Sequence, residues 1–492
     1  MKVSGLEMNK VIIVRPKLPV SGLQESCLSL LYLGTALKKA GYKVVLIDGE
    51  HENAAALLRE QAKDAFCVGI TAMTVHIKEG LELTNIAKEI NRNLPVVWGG
   101  THATLFPGQV AMYPLIDYVI QGEGESAFIE LLSCLESGKE FVSSKKFPYV
   151  DLNSLSPPAW ELIDMTRYIY NDPEVGERCI RVNTGRGCSY LCKFCINTLF
   201  KPVRWRPLSA ENIVNEVKLL KEKYGIKSVR FTDENFFTNK YRVKEFCELY
   251  IKENIGLPWV AFGRVDYFNE NHLNKELLEL VKESGCKTMR FGVESGSKRI
   301  LDMINKGTTP EQVENAVSLC GEYGIKPVCL FMVGMPGETE KDMLLTVKHI
   351  VKLSEINPNV KIVGPQVFRP YPGSEMYNEL KENYGYVEPV SLEEWAANTT
   401  PEHVMFSDFL RLEELPWITN PGFVENLLFY AGVFQFHPSE TGNKFKRFSM
   451  ALLKPFAWVR MKSGYFGLPI EKVVFCAVQK LFWGVRNAEN KE

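Results

Sequence analysis

Short apolar runs alternate with helical patterns in two separate stretches of this chain, and that alternation restricts its fold more than any other feature. Between residues 10 and 138, five apolar runs separated by helical segments predict a doubly wound parallel sheet. Between residues 177 and 368, six such units predict a partial barrel that is open on one side. The predicted strands are Val11–Val14, Lys43–Asp48, Phe66–Thr71, Pro95–Trp98, Tyr118–Ile120, Ile180–Asn183, Ser228–Thr232, Trp259–Phe262, Thr288–Phe291, Pro327–Val333 and Lys361–Phe368.

These patterns divide the 492-residue chain into four predicted parts. An α/β domain of the Rossmann or flavodoxin-like type covers residues 1–145, and a linker interrupted by prolines covers residues 146–176. The barrel domain covers residues 177–386, and a mostly helical domain covers residues 387–492. A content of 46% hydrophobic and 24% charged residues is ordinary for a globular protein with ample core.

Charge and hydropathy exclude several classes of protein. The net charge of −1 gives no reason to expect a nucleic-acid partner. The N-terminus lacks an uninterrupted apolar segment and no run of 18 apolar residues occurs, so neither a signal peptide nor a spanning helix is expected. The 12 cysteines lack the spacing of a disulfide framework, which suits a reducing compartment. We therefore expect a cytoplasmic protein.

Three cysteines follow the first predicted barrel strand with the spacing C-x3-C-x2-C: Cys188, Cys192 and Cys195. A structural zinc site needs four protein ligands, whereas a 4Fe-4S cluster held by three thiolates leaves one iron open to another ligand. The loop lies at the C-terminal end of a strand, where barrel enzymes place their active sites. Two alternatives stay open, namely reduced cysteines without a metal and a zinc site that uses Cys179 as a fourth ligand.

The cysteine loop resembles that of the radical S-adenosylmethionine (SAM) superfamily, C-x3-C-x-aromatic-C, with Phe194 in the aromatic position. Ser189 stands where related proteins often carry proline, a departure that removes no ligand. The resemblance implies that the three thiolates bind a 4Fe-4S cluster and that SAM chelates its open iron. It assigns SAM-binding positions to barrel strand ends, although single carboxylates there are also common as helix caps. These positions are Asp233, Glu234, Glu294, Ser295 and Gly334.

The strand ends of the first predicted sheet are small and polar, and they resemble the cobalamin-binding domain that precedes many radical SAM domains. The matching motifs are Gly99-Gly-Thr-His-Ala-Thr104 and Gly122-Glu-Gly-Glu125, where glycines let the backbone approach a bulky ligand. A nucleotide-binding or purely structural flavodoxin-like domain is the alternative. The resemblance assigns cobalamin to Thr71, Thr74, Gly99, Gly100, His102, Thr104, Gly122 and Glu123.

The chain lacks the histidine that coordinates cobalt in some cobalamin proteins. Their motif reads D-x-H-x-x-G, whereas here Asp48-Gly-Glu50 places a glutamate at the histidine position. We therefore expect cobalamin in its base-off form without a histidine ligand. His51 and His76 are expected at the surface or in loops, and only His102 near the corrin.

Together the resemblances cover residues 10 to about 385 and imply a cobalamin-dependent radical SAM enzyme. The reaction they favour is methylation of an unactivated carbon through a 5′-deoxyadenosyl radical and methylcobalamin. A cyclase, oxidase or rearrangement enzyme without methyl transfer is the alternative, and an iron–sulfur redox sensor or binding protein is an alternative of another class. The expected partners are a small-molecule or lipid-like substrate and an external electron donor of the flavodoxin or ferredoxin type. No catalytic side chain beyond these ligands is assigned.

Residues 443 to 492 contain ten Lys or Arg residues against three Glu residues, with aromatic side chains between them. The preferred interpretation is a helical cap that closes the barrel, with its aromatic side inward and its basic side outward. The alternative is a segment that rests on the inner face of the membrane or holds an anionic lipid-like substrate.

Overall fold

The N-terminal domain contains the predicted five-stranded parallel sheet, with strand order β2-β1-β3-β4-β5. The computed structural model describes residues 9–19, 27–143, 147–197, 205–398, 412–437 and 444–477. The chain reverses its direction of strand addition between β1 and β3, and ligands of such sheets bind beyond the strand ends at this point. The strands are β1 (Lys10–Arg15), β2 (Lys43–Asp48), β3 (Cys67–Thr71), β4 (Val96–Gly99) and β5 (Tyr118–Val119).

Helices cover both faces of this sheet because alternate strand residues point to opposite sides. Val11 and Ile13 pack with helices α1 and α6, whereas Ile12 and Val14 pack with α2 and α3. A strand buried on both faces reads as a continuous apolar run, which is why β1 is visible in the sequence. The helices are α1 (Leu28–Lys39), α2 (Ala54–Gln61), α3 (Ile77–Ile90), α4 (Thr101–Leu105), α5 (Pro107–Ala111) and α6 (Gly124–Ser137).

The second domain is the predicted open barrel, whose sheet has the order β14-β13-β12-β11-β10-β7-β6. Six of its strands are parallel, and β6 is an antiparallel edge strand that the sequence did not predict. A separate pair of short strands, β8 and β9, flanks the cysteine loop. The strands are β6 (Tyr170–Asp172), β7 (Gly176–Val182), β8 (Gly185–Gly187), β9 (Trp205–Pro207), β10 (Ser228–Phe231), β11 (Trp259–Gly263), β12 (Cys286–Glu294), β13 (Lys326–Val333) and β14 (Lys361–Val367).

Side chains placed directly before the barrel helices fix where those helices begin. Ser209, Asn274 and Thr339 each accept a hydrogen bond from a backbone N–H of the first turn, a group that otherwise has no partner. The helices are α7 (Ala210–Tyr224), α8 (Lys240–Lys252), α9 (Lys275–Glu283), α10 (Lys298–Met303), α11 (Pro310–Glu322), α12 (Glu340–Ile356), α13 (Glu375–Asn383) and α14 (Leu392–Asn398).

The segment predicted as a linker is packed between the two domains. Trp160 and Met165 are buried in the main core of the barrel domain, and that core also includes Leu28 and Leu31 of α1. The Tyr168 hydroxyl donates a hydrogen bond of 2.6 Å to Asp48 at the end of β2. The core of the barrel domain therefore extends onto α1 of the first domain, which fixes their relative position.

Two C-terminal helices cover the open side of the barrel. The helix Pro421–Gln435 contributes Leu427 and Tyr430 to the barrel core, and the helix Lys444–Ser463, here called the tail helix, contributes Leu453, Ala457 and Met461. In the described residues, no helix is both long enough and apolar enough to cross a bilayer. The part of the predicted basic tail beyond residue 477 lies outside the described residues.

Candidate active site

A cavity of about 510 Å³ lies between the strand ends of the first sheet and the segment that carries the cysteines. Its volume is in the range of cofactor pockets. One wall is apolar and comes from the N-terminal domain, including Ile13, Val97 and Phe128. The barrel domain supplies a polar wall that consists of Asn183, Arg186, Gly187, Ile196, Asn197, Arg206 and Glu234.

Most residues assigned to cobalamin line this cavity. A Cβ atom added to Gly100, whose φ is +89°, would lie 2.9 Å from the backbone N of Ala72, so only glycine fits there. The Thr104 hydroxyl accepts a hydrogen bond of 2.9 Å from the Gly122 N–H and thus ties the two glycine-rich loops together. The lining residues from the predicted set are Thr71, Gly99, Gly100, Thr104, Gly122 and Glu123.

Thr74 and His102, also assigned to cobalamin, do not line the cavity. His102 is fully buried, its Nδ1 lies 3.1 Å from the Thr74 hydroxyl, and its ring centroid lies 5.5 Å from that of Trp395. Burial lowers the pKa of His102 to about 4, so the ring is neutral at pH 7. The pair thus packs against α14, and a direct contact with cobalamin stays a prediction.

The other two histidines of this domain differ from each other. His51 is exposed as expected, but the expectation for His76 was wrong, because it is only 2% exposed. The Nδ1 of His76 accepts a hydrogen bond of 3.2 Å from the Met73 N–H, which turns the ring inward at the start of α3. Burial lowers the pKa of His76 to about 4. Among the described residues that line the cavity there is no histidine.

Asp48 and Glu50, at the position of the cobalt-binding histidine motif, form hydrogen bonds within the first domain. Asp48 accepts two hydrogen bonds from Arg15, of 2.9 and 2.7 Å, in a pair that is almost fully buried. Glu50 accepts a hydrogen bond from the backbone N–H of Leu18. Neither carboxylate lines the cavity, so this loop presents no side-chain ligand to a group bound there.

The cysteine loop is held from two sides by hydrogen bonds to its backbone. Lys193 donates its N–H to the Ile304 carbonyl (2.9 Å) and accepts from the Met376 N–H (3.0 Å). The Asn305 side chain donates a hydrogen bond of 2.8 Å to the Leu191 carbonyl. Residues that follow α10 and begin α13 therefore fix a loop that has no regular secondary structure of its own.

Two buried cations support the aromatic side chains of this loop. The Arg264 guanidinium lies 3.5 Å from the centre of the Tyr190 ring. The Lys306 ammonium lies 5.8 Å from the centre of the Phe194 ring and donates a hydrogen bond of 2.7 Å to Glu294. The sequence analysis missed both cations because neither belongs to a motif and each comes from a distant part of the chain.

Burial dominates the environment of the loop thiols. It raises the pKa of Cys188 and raises that of Cys195 to about 11, so the thiolates need a bound cation for stability. In the described part of the chain no three His, Cys, Asp or Glu side chains surround one metal-ion position. Cys179, the alternative fourth ligand, is buried among Val175 and Val260.

Some of the residues assigned to SAM support the backbone, and one of them lines the cavity. Asp233 is 2% exposed and accepts hydrogen bonds of 2.5 Å from both the N–H and the hydroxyl of Thr184, so it fixes the end of β7. Glu234 lines the cavity, where the surrounding protein raises its pKa. Ser295 is buried with its hydroxyl 3.0 Å from that of Thr346.

Glu294 and Gly334 complete this group. Glu294 forms the buried pair with Lys306, and the Gly334 carbonyl accepts a hydrogen bond of 2.9 Å from the Trp417 indole. Glu234 is therefore the carboxylate of this set that lines the cavity, Glu294 is held in an ion pair, and Asp233 and Ser295 support the backbone; contact of any of them with SAM stays a prediction.

Four charged side chains join the two domains at the cavity, and we call them the interdomain ion-pair cluster: Glu123, Glu125, Arg186 and Arg206. Arg186 donates to Glu123 (2.9 Å) and to Glu125 (2.6 Å). Arg206 donates to the other oxygen of Glu123 (2.9 Å) and to the carbonyl of Val150 (2.7 Å). Glu123, which the resemblance assigns to cobalamin, thus forms its hydrogen bonds with arginines of the barrel domain.

This cluster connects the cobalamin-type sheet directly to the cysteines. Glu123 follows β5, and Arg186 precedes Cys188 by two residues in β8. Burial alone would raise the pKa of Glu123, but the guanidiniums of Arg206 and Arg186 outweigh it and hold the pKa below its usual value. The carboxylate is therefore ionised at pH 7, and the pairs hold the cysteine loop against the first sheet.

Comparison with known proteins identifies both halves of the chain. The model of the radical SAM superfamily matches residues 182–350, and that of the B12 binding domain matches residues 20–132. An uncharacterized methyltransferase of Pyrococcus horikoshii is 31% identical over 399 residues, which cover 76% of this chain and 83% of that protein. The anaerobic magnesium-protoporphyrin IX monomethyl ester cyclase of Rubrivivax gelatinosus is 27% identical over 398 residues, covering 73% and 68% respectively.

A solved structure shows the same fold. The radical S-adenosylmethionine methyltransferase TsrM from Kitasatospora setae, with cobalamin and a 4Fe-4S cluster bound, superposes with a TM-score of 0.61. The superposition covers 77% of this chain and 76% of that chain at 20% sequence identity. The expected arrangement of a cobalamin-binding sheet, an open barrel and a helical C-terminal part is confirmed.

Replacing Cys192 by Ala should abolish the broad visible absorption of an anaerobically reconstituted iron–sulfur cluster and all cleavage of SAM. The reason is that the two remaining thiolates do not retain a 4Fe-4S cluster. Cys134→Ala, which removes a thiol of α6 outside the loop, is the control and should keep both properties. A Cys192→Ala protein with a full cluster and full SAM cleavage would contradict the assignment of the three ligands.

Glu123→Gln should lower the free energy of unfolding at pH 7 by about 1–3 kcal/mol, because it weakens hydrogen bonds to two charged partners. Since the folded-state pKa of Glu123 is depressed, its contribution is complete above the unfolded pKa of about 4.3 and is lost as the pH falls through the folded value. The difference between wild type and variant in urea unfolding should therefore shrink in acid.

Glu161→Gln is the matched control for this prediction. It removes a carboxylate whose pair with Lys38 is about half exposed, at 2.7 Å, and should change stability by less than about 1 kcal/mol. Equal losses in the two variants would show that the interdomain ion-pair cluster does not hold the domains together.

Proposed function

The chain belongs to the radical SAM superfamily and carries a B12-binding domain before its barrel, and on that premise we propose that it methylates an unactivated carbon of its substrate. It is a cobalamin-dependent radical SAM enzyme, whose cofactors are a 4Fe-4S cluster, SAM and cobalamin. The shared cavity is the observation that carries the proposal. The strand ends of the cobalamin-binding sheet and the residues beside the cysteine loop line one space, as transfer between two cofactors requires.

When bound, the cluster and SAM supply a carbon radical and cobalamin supplies a transferable methyl group. In this proposal Cys188, Cys192 and Cys195 hold the cluster. Glu294 and Lys306 present a carboxylate and an ammonium beside the cysteine loop, and these charges complement the amine and the carboxylate of a methionyl group.

The remaining lining residues control the surroundings of the reacting groups. The apolar wall of Ile13, Val97 and Phe128 excludes water from one side of the cavity, which protects a radical from quenching. Glycines at positions 99, 100 and 122 let the backbone approach a large ring. The interdomain ion-pair cluster fixes the position of the two cofactor domains relative to each other.

The alternative outcome within the same enzyme class is cyclisation, oxidation or rearrangement without methyl transfer. It is favoured by the similarity to the magnesium-protoporphyrin cyclase, which aligns with 73% of this chain at 27% identity. The proposed substrate is a small or lipid-like molecule that enters through the open barrel, and the proposed electron source is an external flavodoxin or ferredoxin. Methylation is preferred because the relative with 31% identity is described as a methyltransferase.

The ratio of two products should distinguish the outcomes in one anaerobic turnover assay. Methylation consumes one SAM for the radical and one for the methyl group, so S-adenosylhomocysteine and 5′-deoxyadenosine should form in equal amounts. Liquid chromatography with mass spectrometry measures both products. If 5′-deoxyadenosine forms and the substrate is converted without S-adenosylhomocysteine, the proposal of methylation is rejected and the alternative is supported.

The cobalt of the reduced protein should give a base-off electron paramagnetic resonance spectrum without nitrogen hyperfine splitting from a protein imidazole. The physical reason is that no histidine is among the described residues lining the cavity and that His76 and His102 are buried away from it. His51→Ala, which removes the exposed histidine of this domain, serves as the control and should leave the spectrum unchanged. A strong axial nitrogen triplet in the wild-type protein would contradict the proposal.

A further inference from the structure

The tail helix is apolar on two opposite faces. Its inner face consists of Leu453, Ala457 and Met461, which are buried in the barrel core. Since successive residues of a helix are separated by about 100°, four exposed apolar residues of this helix fall within an arc of about 80° on the other side. These residues are Phe448, Leu452, Phe456 and Val459, with exposures of 63%, 58%, 53% and 57%.

A surface helix normally presents polar side chains to water, so this outer face needs an explanation. The segment that follows the helix carries four further apolar side chains that are exposed by 56 to 73%. Large exposed apolar patches mark interaction sites on soluble proteins. The further residues are Leu468, Ile470, Val473 and Val474.

The charged side chains of the tail helix itself are all positive. The sequence from residue 444 to residue 463 contains six Lys or Arg residues and no acidic residue. Arg447 and Lys462 are exposed and lie about 100° and 40° from Phe448, on one side of the apolar arc, where Lys462 also pairs with Glu355 of α12 at 3.1 Å. Lys454 lies nearer the buried face, and its ammonium donates a hydrogen bond of 3.1 Å to the Phe436 carbonyl. The Lys462 ammonium lies 4.7 Å from the centre of the Trp458 ring, at the same edge.

An apolar arc bordered by cations and a tryptophan is the pattern of a helix that lies in a membrane interface. We propose that the outer face of the tail helix binds the surface of a bilayer that contains anionic lipids. The apolar arc enters the boundary of the acyl chains, and Arg447 and Lys462 lie at the level of the lipid phosphates. The inner face stays in the barrel core, so binding leaves the fold unchanged. This inference goes beyond the proposed function and does not depend on it.

The test uses full-length protein and co-sedimentation with vesicles of phosphatidylcholine, with and without phosphatidylglycerol. We expect binding that requires phosphatidylglycerol and weakens as salt is raised, because the attraction is partly electrostatic. The combined variant Phe448→Gln, Leu452→Gln and Phe456→Gln should lose binding by more than about tenfold. Deleting the tail helix is unsuitable, because the deletion would also remove Leu453, Ala457 and Met461 from the barrel core.

A second variant measures the electrostatic contribution to vesicle binding, and a third tests whether the loss of any exposed apolar side chains changes binding. The variant Arg447→Gln and Lys462→Gln should weaken binding by about fivefold for each charge and reduce its salt dependence. The control variant Met112→Gln, Tyr241→Gln and Val387→Gln removes exposed apolar side chains of other elements and should bind as wild type does. Circular dichroism and gel filtration confirm that each variant is folded.

Several outcomes would overturn the inference. They are a lack of binding to phosphatidylglycerol vesicles, equal binding to neutral vesicles, and full binding by the folded outer-face variant. A dimer in light scattering that dissociates in the outer-face variant, combined with no vesicle binding, would show that a second copy of the chain covers this face instead. None of these results would affect the assay of SAM products.

Discussion

The carboxylate of Glu123 accepts hydrogen bonds from two arginines that flank the cysteine loop, and the geometry of the whole site depends on this contact. Arg186 precedes the first cysteine by two residues, and Arg206 returns the chain to the barrel in β9. Their guanidiniums also stack on Tyr32 and Tyr149, each 4.9 Å from the ring centre. Because Glu123 itself follows the last strand of the first sheet, a group bound at that sheet must face the cysteine loop. Two domains that each bind a cofactor thereby become one site.

The opposite end of the barrel is built for stability. Glu174, in the turn between β6 and β7, pairs with one basic side chain from each of three barrel strands, namely Arg230, Arg290 and Lys361. Burial alone would raise the pKa of Glu174, but these cations hold it below its usual value. The unpredicted edge strand β6 thus brings a carboxylate into the barrel, while the C-terminal strand ends stay free for cofactors.

The sequence allowed two interpretations of the tail helix, a barrel cap and a segment on a lipid surface. The prediction that the cap turns its aromatic side inward was wrong for this helix, because Phe448, Phe456 and Trp458 are exposed. Its inner face closes the barrel as a cap, and its outer face carries the apolar arc bordered by cations. The sequence did not separate these interpretations because apolar residues occur on both sides of the helix, which removes the usual contrast between a buried and a solvated face. Packing against the helix Pro421–Gln435 and α12 decides which side is buried.

The sequence by itself determined most of the strands of both domains, the three cysteines and the glycine-rich loops, since each depends on local periodicity or on a short motif. It also indicated the absence of a cobalt-binding histidine, because Glu50 occupies that position. Only the tertiary structure decided the partners of the site residues: that Glu123 binds arginines of the other domain, that Asp233 supports a strand end, and that Lys306 lies beside Phe194. The physical reason is that periodicity records which face of an element is buried, whereas ion pairs between distant segments depend on how the packed elements meet in space.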